Sequence, residues 1–133
     1  MSLPLEGIKV IELGNFIAGP FCGMLLADMG ADVIKIERPS KGDQTRAMPP
    51  LVHGESASFA ALNRNKRSLV LDLKQPEARE IVLELAKNCD VFLENNLGLR
   101  LAFFPFVLTL HKSFANLIFV FSFNFFFFHL HRH

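Results

Sequence analysis

The sequence predicts an α/β fold with a parallel sheet. Three observations carry that reading: short β-branched runs alternate with longer helix-periodic segments, each run closes on a glycine, proline or polar cluster, and the runs are apolar throughout, as strands covered by helices on both faces should be. Residues 8–13, IKVIEL, form the first strand, closed by Gly14. Residues 19–28, GPFCGMLLAD, form a helix, with Pro20 where a missing N–H costs nothing, Phe21, Met24, Leu25 and Met29 at helical spacing, and Gly30 as its stop. ADVIKIE, 31–37, is a second strand, left through the polar loop around Pro39. A short helix over 56–63, a basic turn and a third strand, SLVLDL, come next. Pro76 opens a long helix, EAREIVLELAKN, with Ala78, Ile81, Leu85 and Ala86 on one face, and DVFLEN, 90–95, is the fourth strand.

The chain has 133 residues, enough for one domain with a core. Whole-chain averages hide a change of alphabet at Arg100. Residues 1–100 hold all 13 acidic and 12 of the 14 basic residues, while the remainder carries only Lys112 and Arg132 together with 11 of the 15 phenylalanines. The near balance of charge in the first part gives no electrostatic reason to expect a nucleic acid or an anionic membrane as partner. Cys22 and Cys89 lie in apolar surroundings without a CxxC or His/Cys cluster, so they read as buried reduced thiols, not as a disulfide or metal site. With a strand starting by residue 8 and no leader pattern before it, the expected location is the cytoplasm.

Open parallel sheets bind ligands beyond the carboxyl ends of their strands, which places interest in GNFIAGPF, RPSKGDQTR, KQP and the Asn95–Asn96 pair. Glycines 14, 19 and 23 miss the GxGxxG spacing, and they suit plain turns as well as a ligand loop. Gly19 and Pro20 nevertheless lead into a helix whose free N–H groups suit an anion or a carbonyl oxygen. Arg38 stands at the tip of the second strand, where a cation suits a phosphorylated ribose, although a solvated arginine would look the same. Arg64, Lys66 and Arg67 are either a solvated turn or a phosphate site, and Lys74 is a further candidate cation. His53 is alone in a loop. No nucleophilic triad, carboxylate pair or metal set can be built from residues 1–100, so the residues alone reach an α/β domain for a phosphorylated, nucleotide-like ligand.

PLEGIKVIEL, FIAGPFCGMLLADMGADVIKIERPSKGDQTR, LNRNKRSLVLDLK and CDVFLEN, in this order, closely resemble the N-terminal part of the family III CoA-transferases over residues 4–95. The resemblance implies a Rossmann-like CoA-binding domain, an interlocked homodimer, and transfer of coenzyme A from an acyl-CoA to a carboxylic acid through a catalytic aspartate. It also implies CoA contacts at Ile17 and Ala18 near the thioester, at Arg38 on the ADP end, at Leu71, Asp72, Leu73 and Lys74 along the adenine, and at Asn95 and Asn96. Ile17 departs from the formyl-CoA enzymes, which carry a glutamine there, so only backbone N–H groups remain to hold an oxyanion. A racemase parent is the alternative within the family.

The family pattern ends at Asn95. The implied nucleophilic aspartate would fall beyond His133, and no Asp follows Asp90, so no catalytic residue is assigned and the chain is expected to be inactive alone. The expected division is therefore a partial CoA-binding domain, 1–95, and a hydrophobic tail, 96–133. The tail reads as non-family sequence, for instance translation of a shifted frame, or as a membrane segment within 101–130, which would make a non-enzymatic CoA-binding protein at a membrane. Phe119, Phe121, Phe123 and Phe125 alternate, but the run from Phe125 to Phe128 breaks the pattern.

Overall fold

The computed structural model describes residues 2–95, 118–123 and 126–128. The chain runs through β1 (Lys9–Leu13), α1 (Ala18–Asp28), β2 (Asp32–Glu37), a 3-10 turn (Gln44–Ala47), β3 (Leu51–Val52), β4 (Glu55–Ser56), α2 (Ala57–Asn63), β5 (Arg67–Val70), α3 (Pro76–Ala86), β6 (Val91–Glu94), β7 (Ile118–Phe123) and β8 (Phe126–Phe128). The main sheet has the order β5-β2-β1-β6-β7-β8, parallel except for the β7–β8 pair. The sheet thus grows outward from β1 in both directions, and the order reverses between β1 and β6, the place where a crevice opens in such folds.

Alternation along β1 sends Val10 to one face and Ile11 and Leu13 to the other. Val10 joins Val33, Leu93, Ala27 and Ala31 beneath α1, whereas Ile11 and Leu13 join Ile36, Phe92, Leu73, Ala78, Val82 and Ala86 beneath α3. Helices on both faces explain why the strands are mostly apolar. They are not apolar throughout, however: Glu12, Lys35 and Glu37 are buried on the α1 face. This corrects the sequence expectation, and the functional site depends on it.

The helix faces also differ from those expected. On α1 the buried residues are Gly19, Pro20, Gly23, Met24 and Ala27, while Phe21, Leu25 and Met29 point outward. Small residues win the inner face because α1 lies close upon Glu12: a Cβ at Gly23 would stand 2.0 Å from Glu12 Oε2. On α3, Val82 takes the inner position between Ala78 and Ala86, and Ile81 is exposed. α1 ends in a Schellman turn, with Gly30 at φ +101°, its N–H donating to Ala27 O and the Ala31 N–H to Leu26 O. Pro76 begins α3, as its fixed φ favours.

The β3–β4 hairpin, absent from the sequence reading, turns at His53 and Gly54, both at positive φ, so the lone histidine is a turn residue on the surface. The third strand ends at Val70, three residues earlier than expected, although the Leu71 N–H still donates to Glu37 O. Residues 118–123 of the tail add a strand parallel to β6, and 126–128 fold back on it antiparallel. The expected membrane segment lies mostly outside the described residues, and none of the described helices is long and apolar enough to cross a membrane. Both thiols are free, but only half-buried.

Phe92 has no exposed surface and joins β6 to the α3 core. Phe92→Ala should lower unfolding free energy by about 3–5 kcal/mol in urea titration; a loss below about 1 kcal/mol would show that this core does not carry the fold.

Candidate functional site

The exits of β1, β2 and β6 are tied into one unit at the carboxyl edge of the sheet. The Asn15 N–H donates to Asn95 Oδ1 at 2.7 Å, and Asn95 Nδ2 donates back to Asn15 O at 2.9 Å, bridging the point where strand order reverses. Asn15 Oδ1 accepts from the N–H groups of Phe16 and Gln44. Asp43 Oδ1 accepts from the Phe16 N–H at 3.2 Å and from the N–H and hydroxyl of Thr45. Phe16 sits at φ +70°, a left-handed conformation a phenylalanine rarely adopts, and these bonds to its N–H help to hold it there.

Beneath this loop lies a buried ionic cluster. Glu12 and Lys35 are register partners on adjacent parallel strands and face α1 together. Lys35 Nζ meets Glu12 Oε1 at 2.9 Å, Asp43 Oδ2 at 2.8 Å and Gly14 O at 2.8 Å. Lys66 Nζ meets Glu12 Oε2 at 2.8 Å, Pro20 O at 2.7 Å and Asn63 Oδ1 at 3.0 Å. Each ammonium thus makes two hydrogen bonds and one further ion-pair contact. The contacts to Glu12 Oε2 and Asp43 Oδ2 are ion pairs without hydrogen-bond alignment. Two carboxylates and two ammoniums leave the cluster neutral, which is what makes burying it tolerable. Burial pulls the Lys66 pKa below its ordinary value against the opposing attraction of Glu12. For Asp43, burial acts to raise the pKa, but bonds from Lys35 and Thr45 prevail and it is lowered.

A second acid anchors the β2 exit. Glu37 is clasped by Arg46 through two bonds of 2.7 Å and accepts from Ser68 Oγ and the Asp43 N–H, while Phe59 lies 3.8 Å from the Arg46 guanidinium carbon. Burial would raise its pKa, yet these bonds hold it at about 2.

The cations differ in their partners. Arg64 pairs with Asp28, Lys66 with Glu12 and Arg67 with Asp32, so each cation of the basic turn has a carboxylate partner, buried for Lys66 and at the surface for the two arginines. Arg38, at the exposed tip of β2, donates only to Gly42 O and has no carboxylate partner among the described residues; nor have Lys41 and Lys74. Lys41 was not singled out in the sequence, although it shares the loop with Arg38.

The other expected contacts fall along the same edge. Ile17 is half-exposed at the N-cap of α1, without a side-chain cap and with no acid in the first turn, and Ala18 follows it. Beyond β5, Leu71 and Asp72 are half-buried, Leu73 has its side chain in the α3 core, and Lys74 is exposed, its N–H donating to Asp72 Oδ1. In strand order the edge therefore presents residues 71–74, Arg38, Ile17 with Ala18, and Asn95. Asn96 lies outside the described residues. A groove of about 330 Å³ lined by Lys9, Asp32, Arg67, Glu84 and Cys89 opens near the opposite edge, away from these loops. Burial and Asp90 push the Cys89 thiol up to about 11, so it is not a nucleophile there.

The profile of CoA-transferase family III matches residues 5–102. A succinyl-CoA:glutarate CoA-transferase from Mus musculus is 52% identical over 93 residues, covering 69% of this chain and 21% of that protein. A formyl-CoA:oxalate CoA-transferase from Bradyrhizobium sp. is 46% identical over 96 residues, covering 71% of this chain and 23% of that protein. The crystal structure of a CAIB/BAIF family protein from Brucella suis superposes with a TM-score of 0.77 at 40% identity, over 91% of this chain and 33% of that one. The chain thus spans between a fifth and a third of the length of these relatives.

Two outcomes test the site. Gly23→Ala should destabilise the fold by about 1–3 kcal/mol in urea titration, because the added methyl meets Glu12; an unchanged midpoint would contradict the close approach. Because Glu37 titrates at about 2, below its ordinary 4.5, its stabilising contribution is whole above 4.5 and is lost as pH falls toward about 2. Arg46→Met should therefore cost more stability near about pH 6 than near about pH 3, and an equal cost at both would refute the clasp. On its matching profile, sequence relatives and fold, the chain belongs to CoA-transferase family III.

Proposed function

We propose that residues 1–95 are the CoA-binding portion of an enzyme that passes coenzyme A from a dicarboxylic acyl-CoA, such as succinyl-CoA, to a second carboxylic acid. The observation that carries this reading is the division of the cations. Arg46, Arg64 and Arg67 are each engaged by a carboxylate, whereas Arg38 and Lys74, on the edge where ligands bind, have none among the described residues. Exposed cations without an internal partner suit the phosphates of the ADP end. The relatives named for succinyl-CoA and glutarate, at about half identity, favour the dicarboxylic acyl group.

In this reading Arg38 and Lys74 hold the nucleotide end, residues 71–74 flank the adenine, and the pantetheine runs past Asn95 and Asn96 toward α1. The thioester carbonyl faces Ile17 and Ala18. The uncapped first turn of α1 offers N–H groups and the positive end of the helix dipole, and the apolar Ile17 leaves that task to the backbone. The attacking carboxylate belongs to a further part of the parent protein, an interlocked homodimer in the cytoplasm. In this reading these 133 residues by themselves move no coenzyme A.

Arg38→Ala should weaken CoA binding about tenfold, measured by calorimetry, with no change in far-ultraviolet circular dichroism. Unaltered affinity would remove Arg38 from the site, and turnover of any acyl-CoA and acid pair by the purified chain would contradict the assigned inactivity.

A further inference from the structure

We infer that Lys66, supported by Lys35, is a positioning residue that sets how the loop between Gly14 and Pro20 presents its backbone to the acyl end of the ligand. The inference rests on the CoA reading above, but on different atoms. Both lysine side chains are only 2% exposed and cannot reach a ligand on the surface. Each nevertheless commits one proton to a backbone carbonyl of the loop, Lys35 to Gly14 O at one end and Lys66 to Pro20 O at the other. The two bonds bracket the segment that contains the left-handed Phe16 and the uncapped start of α1.

A planar peptide ties the direction of a carbonyl to that of the next N–H, so pinning Gly14 O inward also aims the Asn15 N–H, which goes to Asn95. Pinning Pro20 O fixes the first turn of α1, whose Phe21 N–H closes onto Ile17 O at 2.7 Å. Because Ile17 has no polar side chain, what the first turn can offer a thioester oxygen is the backbone N–H groups of Ala18 and Gly19, whose placement these two anchors set. Small displacements of such donors cost binding steeply. Glu12 acts as counter-ion to both lysines and leaves no room for a side chain at Gly23, with an added Cβ at Gly14 also 2.9 Å from its Oε1.

A cluster that only stabilised the fold would affect all parts of the ligand alike, whereas a positioning cluster affects one end. The test compares acetyl-CoA with adenosine 3′,5′-bisphosphate, which lacks the pantetheine and thioester. The paired substitution Glu12→Gln with Lys66→Met removes one charge of each sign, keeps the cluster neutral and deletes the tether to Pro20. It should bind acetyl-CoA about tenfold more weakly, with the bisphosphate affinity unchanged. Asn63→Ala removes one acceptor of Lys66 without leaving a buried charge; it should weaken acetyl-CoA about threefold and again spare the bisphosphate, which keeps the test open if the double variant does not fold. Equal affinity to the unaltered chain for both ligands, or an equal loss for both, would overturn the inference and leave the CoA reading standing. Failure of the unaltered chain to bind acetyl-CoA would overturn both.

Discussion

A carboxylate buried without exposure in the middle of a parallel sheet is the constraint from which much of this structure follows. Glu12 lies on the face of β1 that α1 covers, where an apolar residue would serve packing better. An unpaired charge there would cost several kcal/mol, so two ammoniums are drawn in to meet it. Lys35 is supplied by the neighbouring strand and Lys66 by the turn before β5. Asp43 then balances the second positive charge and, from the same carboxylate, holds Phe16 and Thr45. Buried ion pairs of this kind are weak evidence for net stability, because desolvation offsets much of their attraction. What they supply is geometry, with α1 held low over the sheet by Gly19, Gly23 and Ala27 while Phe21, Leu25 and Met29 face outward.

The same cluster separates two populations of cations. Those facing inward or lying along the turn before β5 are neutralised by acids, and those beyond the strand ends, Arg38, Lys41 and Lys74, have no such partner among the described residues. Net charge of +1 would not reveal this division, because it averages committed and uncommitted charges. In the proposed reading the uncommitted group anchors a phosphorylated ligand whose reactive end lies nearer α1.

The regular elements of residues 8–95 were legible because hydrophobic period and breakers act locally. Gly30, Pro76 and the run IKVIEL needed no partner to declare themselves. Motif resemblance supplied the family before any geometry was available. What stayed hidden required register. Glu12 and Lys35 are 23 positions apart, and only the parallel pairing of β1 with β2 places them side by side. The clue was present as a charge inside each of two largely apolar strands, Glu12 in KVIEL and Lys35 in DVIKIE, but such a charge is equally consistent with a strand end in water. Likewise, the basic turn could be read as solvated or as phosphate-binding, since Asp28, Asp32 and Glu12 lie more than thirty residues away from their partners in it. The β3–β4 hairpin was missed because its strands have two residues each, too short for periodicity to show. In the tail, the alternating Phe119, Phe121 and Phe123 fall within β7.

The central claim is that coenzyme A lies along the carboxyl edge of this sheet, and amide hydrogen exchange with and without CoA tests it most directly. Slowed exchange confined to residues 15–19, 38–42, 71–74 and 95 is the result the proposal predicts. Protection instead around Lys9, Glu84 and Cys89, at the opposite edge, or no protection at saturating CoA, would contradict it.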